Sequence, residues 1–346
     1  MKLLSDPPLA VAMAYVPRLR SLRWAALLVF PVLVWVAAAA PAQADEKVNI
    51  APRPKAAKRE APKPGEGRFT VDVNTVLVNV SVVTPMGQQV TGLEKEHFRV
   101  FEDKQEQIIT HFGSEDAPLS MGIIFDCSGS MGQKLLKSRQ AVSQFFKTAN
   151  PDDEFFLIEF SERPELVVPF TVRLEEIQNR LTFTQAKGRT ALLDAIYLGL
   201  NTMKQGKNPK KALLIISDGG DNNSRYTERE IRNLVKEADV EIYAIGIYEP
   251  MSARGRTAEE LNGPSLLTEV AEQTGGRQFA VENLNELPDI AAQIGIVLRN
   301  QYVLGYTPSN LQKDGKWRRI EVKLKQPRGM PPLRVFAKHG YYAPAQ

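Results

Sequence analysis

The chain has 346 residues, with 44 Lys and Arg against 40 Asp and Glu, a net charge of +4, and 43% hydrophobic residues. These proportions support a buried core and exclude a disordered, collagen-like or multi-span membrane chain, and the length suits about two domains plus processed or linking segments. A single cysteine, Cys127, excludes an internal disulfide framework and any zinc site of the multi-cysteine kind.

Residues 1–44 read as a signal peptide. Arg18, Arg20 and Arg23 precede an apolar stretch from Trp24 to Ala40, and Ala42-Gln43-Ala44 is the small-x-small pattern after which a signal peptidase cuts. Cleavage after Ala44 implies a secreted, periplasmic or cell-surface protein with no stable membrane span. The other reading is an uncleaved anchor, because the apolar stretch is near the minimum length for crossing a bilayer; Pro31 in its middle favours cleavage. Residues 45–68, rich in Pro, Lys, Ala and Glu, read as a disordered linker, since they hold too little apolar surface to offset their ordering entropy. Residues 1–44 and 45–68 each contribute a net +3, which leaves −2 for the remainder. The basic balance is thus a secretion signal and a basic tether, and nucleic acid is not an expected partner.

From Phe69 the pattern has period two. Val71 and Val73 share one phase and Val76, Val78, Val80 and Val82 the other, which predicts a bulge or break near Asn74. Met86-Gly87 marks a turn, and Phe98–Glu102 and Gln107–Phe112 read as strands around a polar turn at Asp103-Lys104. Residues 69–117 form an N-terminal β segment.

Residues 118–300 alternate short apolar strands with amphipathic helices. Strands are predicted at Met121–Phe125, Glu154–Phe160, Leu166–Phe170 (an edge strand), Ala212–Ile216, Glu241–Ile247 and Arg277–Phe279. Helices are predicted at Gln133–Ala149, Leu174–Leu181, Ala191–Met203, Thr227–Ala238, Ser265–Thr274 and Leu287–Arg299. This alternation means an α/β fold, a doubly wound, mostly parallel sheet covered on both faces by helices. In residues 301–346 the period returns to two, with strands at Gln301–Tyr306, Trp317–Leu324 and Leu333–Ala337. Neither β segment has enough strands to be stable alone, so 301–346 is expected to pack with 69–117 in one antiparallel sandwich that receives the α/β domain as an insertion.

The chemistry gathers after the first α/β strand, in Asp126-Cys127-Ser128-Gly129-Ser130. An acid and two hydroxyls at alternate positions of a strand-to-helix loop turn three oxygens toward one point, at the sheet edge where α/β folds place their sites. Two later segments reach the same edge: Gly188-Arg189-Thr190 before a helix, and Ser217-Asp218-Gly219 after the strand Ala212–Ile216. Hydroxyls and carboxylates without His or Cys form a hard-oxygen set suited to Mg²⁺, Mn²⁺ or Ca²⁺. A competing role for Ser128 and Ser130 is capping of the following helix. Asp194 reads as a helix-start or supporting residue, Asp221 as a loop residue, Cys127 as a buried inert thiol, and His97, His111 and His339 as surface or packing residues of the β segments.

The three segments together resemble a von Willebrand factor type A domain with its metal-ion-dependent adhesion site. The resemblance covers residues 118–300 and implies that Asp126, Ser128, Ser130, Thr190 and Asp218 hold one divalent cation, Mg²⁺ first, completed by an Asp or Glu carboxylate of a protein partner. The β segments are similar in texture, and in Gly92-Leu93 followed by Phe98-x-Val100, to secreted bacterial proteins carrying such a domain. The expected function is a non-catalytic adhesion module. Two alternatives stand beside it: a metal-dependent hydrolase, which lacks a Gly-x-Ser-x-Gly elbow and any histidine between 118 and 300, and a structural metal site with binding through the β segments.

Overall fold

Why two kinds of apolar patterning alternate along the chain becomes clear from a computed structural model, which describes residues 75–114, 116–248 and 258–345. The expected signal peptide, the linker and the phase switch near Asn74 lie outside the described residues. The period-two segments at both ends build two four-stranded antiparallel sheets. Their strands are β1 (Val76–Val83), β2 (Phe98–Glu102), β3 (Gln105–Gln107) and β4 (Ile109–Gly113) from before the α/β region. In that region lie β5 (Leu119–Asp126), β6 (Glu154–Phe160), β7 (Pro164–Thr171), β8 (Lys210–Ser217), β9 (Glu241–Ile247) and β10 (Gln278–Val281); after it come β11 (Tyr302–Tyr306), β12 (Trp317–Leu324), β13 (Arg334–Ala337) and β14 (Gly340–Tyr342). One outer sheet has the order β13-β1-β11-β4 and the other β14-β12-β2-β3, so each combines strands from both ends of the described chain.

The two sheets bury one face each against the other. Val78, Val80 and Val82 of β1 and Tyr302, Leu304 and Tyr306 of β11 meet Phe98 and Val100 of β2 and Ile320 of β12 in a single apolar cluster. The tyrosine hydroxyls inside it are all used: Tyr302 donates to the Val90 carbonyl at 3.0 Å and accepts from the Leu93 N–H at 3.1 Å, while Tyr306 donates to buried Glu102 at 2.7 Å. The Asp103-Lys104 turn joins β2 to β3, with φ of 47° and 72° at the two residues, the doubly left-handed geometry of a tight hairpin. The predicted strand Gln107–Phe112 is two strands. Gln107 pairs with β2 in one sheet and Ile109 with Tyr306 in the other, and Ile108, 81% exposed, turns outward where the chain crosses between them.

The central sheet has the order β10-β9-β8-β5-β6-β7, parallel except for the edge strand β7. Every residue of β5, β6 and β9 is buried, as expected of strands covered on both faces. Helices α1 (Leu135–Phe146), α2 (Leu174–Thr182) and α6 (Leu287–Arg299) pack on one face; α3 (Leu192–Met203), α4 (Glu228–Glu237) and α5 (Ala258–Gln273) pack on the other. Helix α4 begins where its sequence says it should, because Thr227 and Glu230 form a reciprocal capping box. Close packing inside the sheet relies on Gly122, where a Cβ would stand 2.2 Å from the Phe156 ring.

Sandwich and α/β sheet meet over a buried polar junction at the N-terminal edge of the parallel strands. Glu241 accepts from Asn79 of β1 at 2.7 Å and from Gln301 at 2.6 Å, while Lys210 donates to the Leu298 carbonyl. Burial pushes Lys210 down to about 8 and pushes Glu241 up, so for both groups desolvation outweighs attraction. Arg299, at the end of α6, bonds Asp116 at 3.2 Å and also Asp153, which accepts in addition from the Leu119 N–H at 2.9 Å and the Asn150 N–H at 2.7 Å. An uncompensated buried carboxylate costs more than the pair contributes. Arg299→Leu should therefore lower unfolding free energy by roughly 3–5 kcal/mol, and adding Asp153→Asn should restore a large part of it. Urea unfolding of the four members of the cycle checks this; costs that simply add would reject coupling through the ion pair.

Candidate metal centre

Strand β5 is the switch point of the sheet, with β6 on one side and β8 on the other, and its last residue is Asp126. The carboxylate is fully buried. Its Oδ1 accepts from the Ser128 N–H at 2.8 Å and its Oδ2 from the Ser217 hydroxyl at 2.6 Å. Ser217 in turn accepts from the Gly219 N–H at 3.0 Å, which fixes the turn that carries Asp218. Burial first, and then the negative charge of Asp218, push the Asp126 carboxyl up to about 7. These two acids share one electrostatic environment at the carboxyl edge of the sheet.

Ser128 is in an extended conformation and is followed by a 3-10 turn, Gly129–Met131. Neither serine caps the helix. Ser128 makes no side-chain capping bond to that turn, and α1 starts only at Leu135, with Lys134 in the capping position. The Ser128 hydroxyl is nearly inaccessible while Ser130 is exposed, and the two oxygens stand 3.1 Å apart. For metal–oxygen bonds of 2.0–2.1 Å, adjacent corners of an octahedron are about 3 Å apart, so this pair matches one edge of a Mg²⁺ coordination shell.

The loop carrying Thr190 is strapped against this turn by the Gly129 N–H, which donates to the Gly188 carbonyl at 3.0 Å. Gly188 has φ +78°, and a Cβ there would stand 2.9 Å from Glu162. Thr190 itself is buried, and both of its backbone groups are held by the loop after β8: its N–H donates to Asn222 Oδ1 at 3.0 Å and its carbonyl accepts from the Asn222 and Asn223 N–H groups. Thus Asp126, Ser128, Ser130 and Asp218 lie at one edge, with the Thr190 loop tied to both the serine turn and the Asp218 loop.

Asp194 and Asp221 hold that last loop in shape. Asp194 accepts from the Arg225 and Tyr226 N–H groups at 2.9 and 3.1 Å and from Arg225 Nε at 3.0 Å. Asp221 accepts from the Leu193 N–H at the start of α3 and from the Ser224 hydroxyl. Cys127 is buried, donates to the Phe160 carbonyl at 3.1 Å, and has its thiol pushed up to about 12 by burial, Glu159 and Asp126, which leaves it protonated and unreactive.

Two participants were missed by the sequence reading. Ser217 lies in the segment singled out for Asp218, yet nothing local shows that its hydroxyl crosses to Asp126. Lys134 carries no motif signal at all. Its ammonium, buried with a side chain only 10% exposed, sits 3.1 Å from Asp218 Oδ2, at a place predicted to be ordinary helix. Among the described residues there is no group of three or more His, Cys, Asp or Glu that could hold a metal. Any cation bound here is therefore held mainly by hydroxyls with one or two carboxylates, a donor set that suits Mg²⁺, Mn²⁺ or Ca²⁺.

Residues 121–220 match the family profile of the von Willebrand factor type A domain. An uncharacterized protein of Borreliella burgdorferi is 24% identical over 209 residues, which cover 52% of this chain and 61% of that protein. Inter alpha-trypsin inhibitor, heavy chain 4, of Mus musculus is 30% identical over 146 residues, 38% of this chain and 16% of the mouse protein. The chain thus spans less than two thirds of the length of either relative. Among solved structures, a von Willebrand factor type A protein from Catenulispora acidiphila superposes with a TM-score of 0.46 at 12% identity, over 79% of this chain and 73% of its own. Residues 121–220, the stretch that carries Asp126, Ser128, Ser130, Thr190 and Asp218, are thus similar to a von Willebrand factor type A domain.

Proposed function

We propose that the protein is an extracytoplasmic, non-catalytic binding module that holds a divalent cation, Mg²⁺ first and Mn²⁺ or Ca²⁺ otherwise, and captures an Asp or Glu carboxylate of a protein partner. Asp126, Ser128 and Ser130 are its inner ligands, with Thr190 and Asp218 completing or supporting the shell. The observation that carries this reading is the serine pair: two hydroxyls 3.1 Å apart that cap no helix, beside a buried carboxylate raised by burial and by a second acid. The cation supplies an exposed positive charge able to accept an outside carboxylate. The chain's part is positional. Ser128 N–H and Ser217 orient Asp126, and the straps from Gly129 and Asn222 hold three loops in register.

Catalysis is disfavoured by what surrounds the serines. The three histidines of the chain are His97, His111 and His339, all outside the α/β region, so none is placed to act as a base for Ser128 or Ser130. In this reading residues 118–300 are the binding domain, 69–117 and 301–346 its β support, 45–68 a tether, and 1–44 the export signal.

Isothermal titration of the chain with Mg²⁺ or Mn²⁺ should show one site, removed by Asp126→Ala and weakened at least tenfold by Ser128→Ala with Ser130→Ala. Heat signals unchanged in both variants would reject the assignment. Lys134→Met takes one positive charge away from Asp218 and should tighten cation binding by roughly fivefold or more. A weaker or unchanged affinity in that variant would show that Lys134 does not compete with the cation.

A further inference from the structure

On the opposite side of the molecule from the serine turn, the sandwich is left open along one edge. Strand β14 covers β12 only from Trp317 to Arg319, where Gly340 pairs with Arg319, and the Ile320 N–H then bonds the His339 carbonyl. Beyond that point β12 pairs, among the described residues, only with β2, on its other side. The direction of the free edge follows from the ladder. The Asp103 N–H bonds the Arg319 carbonyl and the Lys325 N–H bonds the His97 carbonyl, so Arg319, Glu321, Lys323 and Lys325 direct their backbone groups toward β2. Val322 and Leu324 direct theirs away from it, and no strand among the described residues pairs with them there. Strand β13 likewise ends its sheet, with β1 as its single neighbour among the described residues. Between these edges and the end of α5 lies a cleft of about 560 Å³, lined by the apolar Ile320, Val322 and Val335 and by three cations, Lys236, Arg319 and Lys338, against two acids, Glu272 and Glu321.

Charge restricts what can enter. Residues 317–338 contain seven Lys or Arg against a single acid, Glu321. Arg319, Lys323, Lys325, Arg328 and Arg334 are exposed, and of these only Lys323 sits beside that glutamate. Basic side chains on an open edge keep two copies of the same edge apart. Residues 45–68, with their net +3, are repelled in the same way. An acidic strand meets neither obstacle. We infer that the β12 edge, together with the cleft beside it, is a second binding surface that takes up an extended acidic peptide from a partner as an added strand, in line with β14. The peptide receives backbone hydrogen bonds from Val322 and Leu324, places alternate apolar side chains over Ile320, Val322 and Val335, and sets its carboxylates against Arg319, Lys323 and Arg334. This surface needs no metal.

The test uses the full chain in EDTA and a short fluorescein-labelled peptide of alternating Glu and Val, followed by anisotropy and by hydrogen exchange. Saturable binding is expected, with slowed exchange of the amides across 320–326. Val322→Pro removes an outward N–H without touching a bond to β2, and should weaken the peptide roughly five- to tenfold while circular dichroism stays unchanged. Should that variant fail to fold, the exchange measurement on the unaltered chain decides alone. Lys323→Glu with Arg334→Glu should weaken binding further and reduce its salt dependence. The inference is overturned if the amides of Val322 and Leu324 exchange at the same rate with and without peptide, if folded Val322→Pro binds as well as the parent, or if poly-glutamate, an oligonucleotide or anionic phosphatidylglycerol vesicles bind as tightly as the alternating peptide.

Discussion

Burying Asp126 at the end of the central strand is the constraint around which the α/β region is organised. A carboxylate without water must have its charge answered, and here the answers come from two separate segments. Ser128 supplies a backbone donor from the loop after β5, Ser217 a hydroxyl from the end of β8, and Asp218, which follows at once, adds a second negative charge instead of relief. Among the described residues the ammonium in contact is that of Lys134, which bonds Asp218 and not Asp126. What remains is a small region where two acids stand together, edged by hydroxyls, and it is on this arrangement that the proposed cation binding rests.

The opposite end of the same sheet solves a similar problem by internal pairing. Lys210, Glu241, Asp153 and Arg299 lie where the parallel strands begin, and burial works against the charged forms of Lys210, Glu241 and Asp153. Such a junction is costly compared with an apolar one, yet it is directional: Asn79 and Gln301 reach Glu241 in only one arrangement of sandwich and sheet. Because α6 ends in Arg299 and β11 begins at Tyr302, the last helix is joined to the sandwich through this charged seam. The edge that carries Asp126 and the two serines thus stands on a support whose geometry is set by specific bonds, while among the described residues the far edge of that support stays unpaired along β12.

Much of the fold was legible because it rests on periodicity. β6, β9, α6 and β12 fall on the residues predicted, since each is long, regular and bounded by a polar or glycine-containing turn. The strand expected at Gln107–Phe112 was not divisible from sequence: Gln107 and Ile109 look like neighbours in one alternation, and only the crossing between sheets separates them at Ile108. Strand β14, three residues long, carries too little pattern to be seen, and the start of α1 moved from Gln133 to Leu135 because the preceding residues wind into a 3-10 turn that positions Ser130 and Lys134.

Local chemistry in the sequence by itself determined which oxygen-bearing residues were available: an acid and two hydroxyls at alternate positions, a threonine before a helix, and an aspartate before two glycines, each following or preceding an element whose period was plain. Long-range geometry decided the rest. That Ser217 answers Asp126 across 91 residues, that Lys134 occupies one oxygen of Asp218, and that strands from both ends share two sheets are relations between distant segments. Hydrogen bonds and ion pairs of this kind depend on angstrom-scale distances that no spacing along the chain encodes, and they come into being only when the sheet has brought its loops to one edge.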